Sequence, residues 1–472
     1  MQLGTDLPEI SDADWERTPA SVRRLLAALF ERVVTLEAEV AVLREQVGKT
    51  SRNSSKPPSS DPPGAPKPPP KPPTGRPRGG QKGHRRHERQ RLPADTTVDC
   101  RPPRCAHCAH ALTGTDPAPD WHQVIEIPAV LRQVTEYRLH ALDCPSCGTT
   151  TVGTLPEGVT HEGFGPRLEA LVALMTGRDH LSKRSTAEML GEVFQIPMAT
   201  GAVVDCAQRM AATLKGSYDE AVAAARTAPV ANFDETGWRQ DKHRAWLWVM
   251  ATVAATAFVI HPHRSRAAAQ TLRGTFDGAS ITDRYGAYDD LDPSRRQLCW
   301  AHLERDWQAM VERGGRSRRV GEALQKETAR LFRWWGWVKA GHRDRAWLQR
   351  NLPTLQRAVR KALQAGVECG HPATAATCAE VQAHFESLWT FVRIEGVEPT
   401  NNFAERQVRD PVKWRRTSFG TDGARGSRFV ERILTVVATL RQHGRNLLEF
   451  LAQARAAYLH GLPMPTLLPM PP

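Results

Sequence analysis

Eleven prolines between Pro57 and Pro77 divide this chain. Each fixes φ near −65° and removes a backbone donor, so residues 51–78 cannot join a helix, a sheet ladder or a packed core. The chain must fold as separate parts on either side of an extended tether, and 472 residues leave room for about three domains. Charge collects in the same place. From Arg52 to Arg91 there are eleven Lys/Arg against two acids, nine of the +13 net charge of the whole chain. Such a surplus suits a polyanion, with DNA, RNA and an anionic membrane surface all open on charge alone.

No apolar run approaches the ~20 residues that a helical membrane span needs. The longest, Leu247–Ile260, is about 14 and contains Thr252 and Thr256, which reads as two buried strands. The N-terminus carries acids and no signal-peptide pattern, so a cytoplasmic, nucleoid-associated protein without a membrane partner is expected.

Before the tether, Thr18-Pro19 offers a helix start with proline at the first helical position. A heptad follows, with Leu26, Val33, Val40 and Val47 at a and Leu29, Leu36 and Leu43 at d. Mostly β-branched a with Leu at d favours a parallel two-stranded coil, and Arg32 would face Glu37 of a partner as Glu39 would face Arg44. The competing reading is an amphipathic helix packed on its own domain. Within the tether, Thr74–Gly79 reads Thr-Gly-Arg-Pro-Arg-Gly. That resembles hooks that lay a flat backbone into a narrow minor groove. Arg76 and Arg78, with Lys82, Arg85 and Arg86 downstream, are therefore candidate DNA contacts, against a merely solvated basic linker.

Cys105-x-x-Cys108 and Cys144-x-x-Cys147 are spaced as a zinc ribbon, with Gln123–Ile127 and Val134–Leu142 as strands between them. Four thiolates in a tetrahedron would make a closed structural Zn2+ site. Cys100, His107 and His110 compete as ligands, and the gap is longer than the usual ribbon spacing. Nine cysteines in this pattern argue for metal in a reducing compartment rather than for disulfides.

From Gly165 to Ala225 the pattern is helical, and Ser182–Phe194, Gln195-Ile196-Pro197 and the next helix resemble a helix-turn-helix. Strands are expected at 229–234, 244–251, 255–261, 279–283 and 296–300, with a helix near Ser265–Leu272. Three strands, a helix and a strand is a ribonuclease-H-like order, interrupted by a tryptophan-rich helical insertion at 316–395. The expected layout is a multidomain α+β chain: a coiled-coil helix at 1–50, a basic linker at 51–95 and a zinc-binding domain at 96–155. A helical region at 156–228, an α/β catalytic domain at 229–425 and a C-terminal helical element at 426–472 complete it.

Three acids stand where such a core places metal ligands. Asp234 and Asp283 close two of the strands, and Glu405 sits in the helical Thr-Asn-Asn-Phe-Ala-Glu-Arg. Two divalent cations ~3.5–4 Å apart can clamp the attacking and leaving oxygens of a phosphodiester. Taken singly, any of these Asp is as readily a turn former. Asn401 and Arg409, four residues either side of Glu405, would share its helical face and either touch DNA phosphate or orient the carboxylate; Lys413 in the basic run that follows is a candidate phosphate contact, against a solvated face. Cys299-Trp-Ala-His302 lacks partner cysteines and reads as a strand-end structural feature, with His302 reaching the active site or DNA as the alternative. Gly420–Gly426 lacks the Lys-Ser/Thr of a phosphate loop, so ATP use has no support.

Several stretches occur together. They are Asn-Ser-Ser-Lys-Pro-Pro-Ser-Ser-Asp at 53–61, Gly-Gly-Gln-Lys-Gly-His at 79–84, the paired Cys-x-x-Cys, and Asp-Glu-Thr at 234–236. Asp-Arg-Tyr-Gly-Ala-Tyr at 283–288, Cys-Trp-Ala-His at 299–302 and Asn-Asn-Phe-Ala-Glu-Arg at 401–406 complete the set. In these the chain resembles the insertion-sequence-66 family of transposases along nearly its whole length. The resemblance implies a DDE transposase with Asp234, Asp283 and Glu405 as catalytic triad and two Mg2+ or Mn2+ ions. It also implies double-stranded DNA as partner, both terminal inverted repeats and target, with companion proteins of the same bacterial element an open expectation. Hydrolysis would free a 3′-OH that attacks target DNA. The alternatives are a non-catalytic DNA-end-binding accessory protein, and a metal-dependent nuclease acting on RNA or replication intermediates.

Overall fold

A computed structural model describes residues 11–54, 91–127, 132–157, 159 and 163–469. Most of the tether, with Arg76, Arg78, Lys82, Arg85 and Arg86, lies outside the described residues. The chain divides into two compact units: residues 1–65, 154–186 and 199–472, and residues 66–153 with 187–198.

In the first unit, α1 (Asp12–Arg17) is capped by the Ser11 side chain and closed by Thr18, whose N–H donates to Trp15 O. Helix α2 (Ala20–Val47) starts one residue later than expected, with Pro19 as its N-cap. All seven seam positions from Leu26 to Val47 are exposed, between 40% and 85%. The heptad therefore finds no intramolecular partner among the described residues, contrary to a helix packed on its own domain. Only its foot is tied down, where Glu45 pairs with Arg313 at 2.6 Å and the Asn53 amide donates to Glu312 at 2.5 Å.

In the second unit, β1 (Ala141–Asp143) and β2 (Thr150–Val152) form an antiparallel hairpin around Cys144–Cys147. Strands expected at 123–127 and 134–142 are absent but for residues 141 and 142. Pairing is local because the Cys-x-x-Cys itself makes the turn.

Returning to the first unit, α3 (Pro166–Gly177) leads to α4 (Lys183–Phe194), which passes into the second unit and ends at Gln195 with φ 55°. Helices α5 (Thr200–Thr213) and α6 (Lys215–Thr227) follow. Helix α5 buries Val203, Cys206 and Met210 completely.

The sheet comprises β3 (Val230–Gln240), β4 (His243–Ala251), β5 (Thr256–His261), β6 (Ala279–Thr282) and β7 (Arg296–Leu298), with α7 (Arg266–Arg273) between β5 and β6. Its order is β5-β4-β3-β6-β7. The first three strands are antiparallel, whereas β6 runs parallel to β3 and β7 parallel to β6. The helical region begins earlier than the expected 316, with α8 (Trp300–Arg313), and continues as α9 (Gly315–Lys339), α10 (Arg345–Val367), α11 (Pro372–Ala383) and the short α12 (Thr390–Arg393). Ile281 and Leu298 of the sheet share one core with Trp307, Leu331, Leu363 and Trp389 of these helices.

The chain returns through α13 (Asn402–Gln407), α14 (Arg409–Ser418), α15 (Ala424–Gln442) and α16 (Leu447–Leu459). Glu431, Thr435 and Thr439 of α15 accept the backbone N–H groups of Ile260, Phe258 and Thr256, which closes the outer edge of β5. The domain boundary expected at 425 falls inside this helix, because its side chains complete the sheet. Further in, Glu169 of α3, fully buried, binds Arg209 of α5 and Arg455 of α16 and locks the three helices together.

Candidate active site

Strand register brings two of the expected acids together. Asn232 of β3 stands opposite Ile281 of β6, so Asp234 and Asp283 each lie two residues beyond the last parallel pair. Strand β3 does not end at Asp234 as its sequence suggests; it continues to Gln240 in register with β4. What ends there is its pairing with β6, and that opens the space. Thr282 pairs with Leu298 of β7, which aligns Cys299 with Asp283. Three neighbouring parallel strands thus deliver Asp234, Asp283 and Cys299 just past the end of their parallel pairing, Asp283 and Cys299 at strand carboxyl ends, the place where open α/β sheets hold ligands.

Glu405 comes from α13, and one residue fixes that helix to the sheet. Asn401, 1% exposed, donates its amide to Phe233 O at 2.6 Å and accepts from the Asn232 amide at 3.0 Å. Its backbone N–H donates to Cys299 Sγ. Expected to touch phosphate or to orient the carboxylate, Asn401 has these polar groups engaged inside the protein and acts as a tie between β3 and α13. Arg409 lies on a different helix from Glu405: α13 ends at Gln407, Val408 links the two, and Arg409 opens α14. It is exposed there, as is Lys413, which pairs with Asp410 at 3.1 Å.

Burial, reinforced by Glu235, Asp283 and Glu405 and opposed by His302, holds the Asp234 carboxyl well above its usual range. Glu235 is also raised, by burial and then Asp283, but it is partnered: Arg264 at 2.6 Å and Tyr288 at 2.8 Å occupy its two oxygens. Neither Asp234 nor Glu405 has such a cationic clamp. Glu405 Oε1 and His302 Nδ1 are both buried without a hydrogen-bond partner, 3.6 Å apart. Burial would lower the His302 imidazole, but Cys299, Asp283 and Glu405 outweigh it and raise it to about 9. Crowded carboxyls with an orphaned, inward-facing oxygen are the donor set a hard divalent cation satisfies, so these residues fit the implied metal. Among the described residues, the one group of three or more ligand atoms mutually within 4.8 Å is Cys299, His302 and Glu405. The three acids are spaced more widely than one ion requires.

For His302, sequence reasoning favoured a strand-end structural role over a place at the active site, whereas the fold sets it beside Glu405. The signal was its place one helical turn after the third parallel strand. Arg284, next to Asp283, was missed altogether. It binds Asp306 of α8 at 2.9 Å and Glu380 of α11 at 2.5 Å and so couples the insertion to the acid-bearing loop.

The four zinc candidates form two turns of the same build. Cys105 N donates to His110 O and Cys144 N to Thr149 O; Ala109 N donates to Cys105 O and Gly148 N to Cys144 O. The residue after each pair is left-handed, Ala109 at φ 58° and Gly148 at φ 73°. Backbone and side-chain hydrogen bonds from Cys108 and His107 lower the Cys105 thiol, and those from Thr149 and Cys144 lower Cys147. Among the described residues the two pairs do not form one cluster within 4.8 Å.

The mixed sheet therefore carries its clustered acids where the parallel pairing of β3 and β6 ends. The model of the Transposase IS66 family matches residues 161–428, more than half the chain, and the protein belongs to that family. Residues 5–90 match a family of unknown function, DUF6444. No curated protein matches the chain. Among the described residues, no helix is long and apolar enough to cross a membrane.

Proposed function

We propose that this transposase cuts the ends of its element and joins them to target DNA, with Asp234, Asp283 and Glu405 as the catalytic triad. The observation that carries the proposal is the register of β3 and β6, which sets two acids side by side while Asn401 pins the helix of the third. The strand order, with three antiparallel strands followed by two parallel ones, supports a ribonuclease-H-like core. Two Mg2+ or Mn2+ ions held by the triad would stabilise charge on the attacking and leaving oxygens. The protein's own part is to hold the acids in a dry, preorganised pocket. Asn401 sets the height of Glu405, while Arg264 and Tyr288 keep Glu235 out of the set.

Zinc held by Cys105, Cys108, Cys144 and Cys147 is the companion reading, supported by the matched turns and by the cost of ~1 kcal/mol for holding Ala109 left-handed. The exposed heptad of α2 supports a parallel homodimer, which would give the complex one active site for each element end. Companion proteins from the same element remain an expectation of the family.

The test is a labelled duplex carrying the inverted repeat found beside this open reading frame. Wild type should nick it in Mg2+ and not in EDTA. Asp234→Asn, Asp283→Asn and Glu405→Gln should each lose more than about 1,000-fold in cleavage, in line with losing a preorganised charge-stabilising group, yet bind the duplex like wild type. Binding without metal-dependent nicking by wild type would leave the accessory-protein reading in its place.

A further inference from the structure

A second cluster of chemistry lies outside the acid pocket. A cavity of about 220 Å3 opens between α5 and the start of α15, lined by Gln208, Ala211, Ala212, Arg425, Arg428 and Arg432. No carboxylate lines it. Arg432 is oriented by its own bond, Nη1 to Ala211 O at 2.6 Å. Arg425 and Arg428 are exposed, and neither has an ion pair among the described residues. The nearest acid on the same helix, Glu431, is turned to the sheet, where its Oε1 accepts from Ile260 N at 2.7 Å.

The placement of these arginines works against the helix. Positions 425, 428 and 432 are i, i+3 and i+7, one face, where like charges repel. They also crowd the first turns of α15, which has no acid in its first turn and whose N-terminus is the positive end of the macrodipole. Glu431 attracts Arg428 and Arg432 from the sheet side, but one carboxylate leaves the three arginines with a net positive charge, the kind of local conflict that a ligand resolves.

We infer that the Arg425, Arg428 and Arg432 cavity is a phosphate seat that holds the sugar–phosphate backbone of duplex DNA. Guanidinium forks match phosphate oxygens two at a time, the helix N-terminus adds to the attraction, and the Gln208 amide can complete the set. The cavity takes one phosphodiester group, several times the ~30 Å3 share of a water. It carries no base-reading role, so its contribution is to register and affinity rather than to sequence choice. The inference rests on the DNA-processing reading above, but it concerns residues that reading does not use.

Duplex binding by full-length wild type and Arg425→Gln/Arg428→Gln, measured by fluorescence anisotropy over a KCl series, tests it. Each neutralised phosphate contributes about 0.9 to the slope of log K against log salt, so the double variant, which empties the seat of its one phosphodiester, should be shallower by about 0.9. Arg425→Lys/Arg428→Lys, which keeps the charge, should restore most of the slope, and a thermal melt checks that α15 stays folded. An unchanged slope in a folded double variant overturns the seat. So does the finding that inorganic phosphate raises the melting midpoint of wild type but not of the variant while the duplex slope is equal, since the cavity would then serve free phosphate. Metal-dependent nicking by wild type with no slope change sinks only the seat; a slope change without nicking by wild type sinks only the cleavage reading.

Discussion

The sheet and its helices, residues 163–469, and the cysteine hairpins, residues 91–157, reach order by different means. Among the described residues no side chain before Glu169 is buried. After it come two apolar cores, with Trp238, Trp248, Trp300, Trp307 and Trp389 nearly inaccessible. Burying such side chains supplies ~1.5–3 kcal/mol each, so the sheet region can stand without a ligand. Among the described residues the hairpins have turn hydrogen bonds, a two-strand ribbon and a few surface contacts such as Gln123 with Leu92, which in water is marginal. Zinc at the four cysteines, as proposed above, would supply the stability they lack. One region is a scaffold in its own right, and on that proposal the other is conditional on what it binds.

The largest effect should follow from removing that condition. Cys105→Ser or Cys144→Ser should lose one bound zinc by elemental analysis and abolish protection of the 91–157 amides in hydrogen exchange, with the sheet unchanged. Metal-free protein whose hairpin amides are already protected would erase the contrast. Next, Glu169→Ala should cost the sheet region about 3–5 kcal/mol, because two guanidiniums lose their buried partner; a denaturant midpoint close to wild type would show that water replaces the carboxylate. Val33→Glu with Val40→Glu should turn a dimer into monomers in sedimentation, since charge at the seam would be buried against the partner. Wild type that is already monomeric at the same concentration defeats that expectation. The smallest change should be Thr435→Val, about 1–2 kcal/mol, from one backbone N–H of β5 left without an acceptor. It would be read in the melt of the sheet region alone.

The same contrast explains what was legible in the sequence. Strand positions 244–251 and 255–261 could be read because buried strands have short apolar runs bounded by turn residues, and the helical insertion because its tryptophans recur at helical spacing. The hairpin strands could not. With no buried face, β1 and β2 carry no alternation, and their position is set by the Cys-x-x-Cys turns. Asp234 and Asp283 stood out as acids after apolar runs, but the true extent of β3 depends on β4 alongside it. The two readings of Asn401, touching phosphate or orienting the Glu405 carboxylate, could not be separated in sequence for a related reason: only the fold shows that its side chain faces a strand. Arg284 was out of reach, since its partners lie 22 and 96 positions away.

The side chains of Glu431, Thr435 and Thr439 along β5 work as a vernier. Four residues of helix advance ~6.0 Å and two residues of strand ~6.6–6.8 Å, so acceptors and donors drift apart by under an ångström per rung and stay matched for three rungs, the length of β5. A longer strand would outrun the helix and expose bare N–H groups, the template on which sheets of neighbouring copies join. Strand length and helix spacing are therefore set against each other. With its outer edge covered by α15, β5 offers no open strand to the sheet of a neighbouring copy.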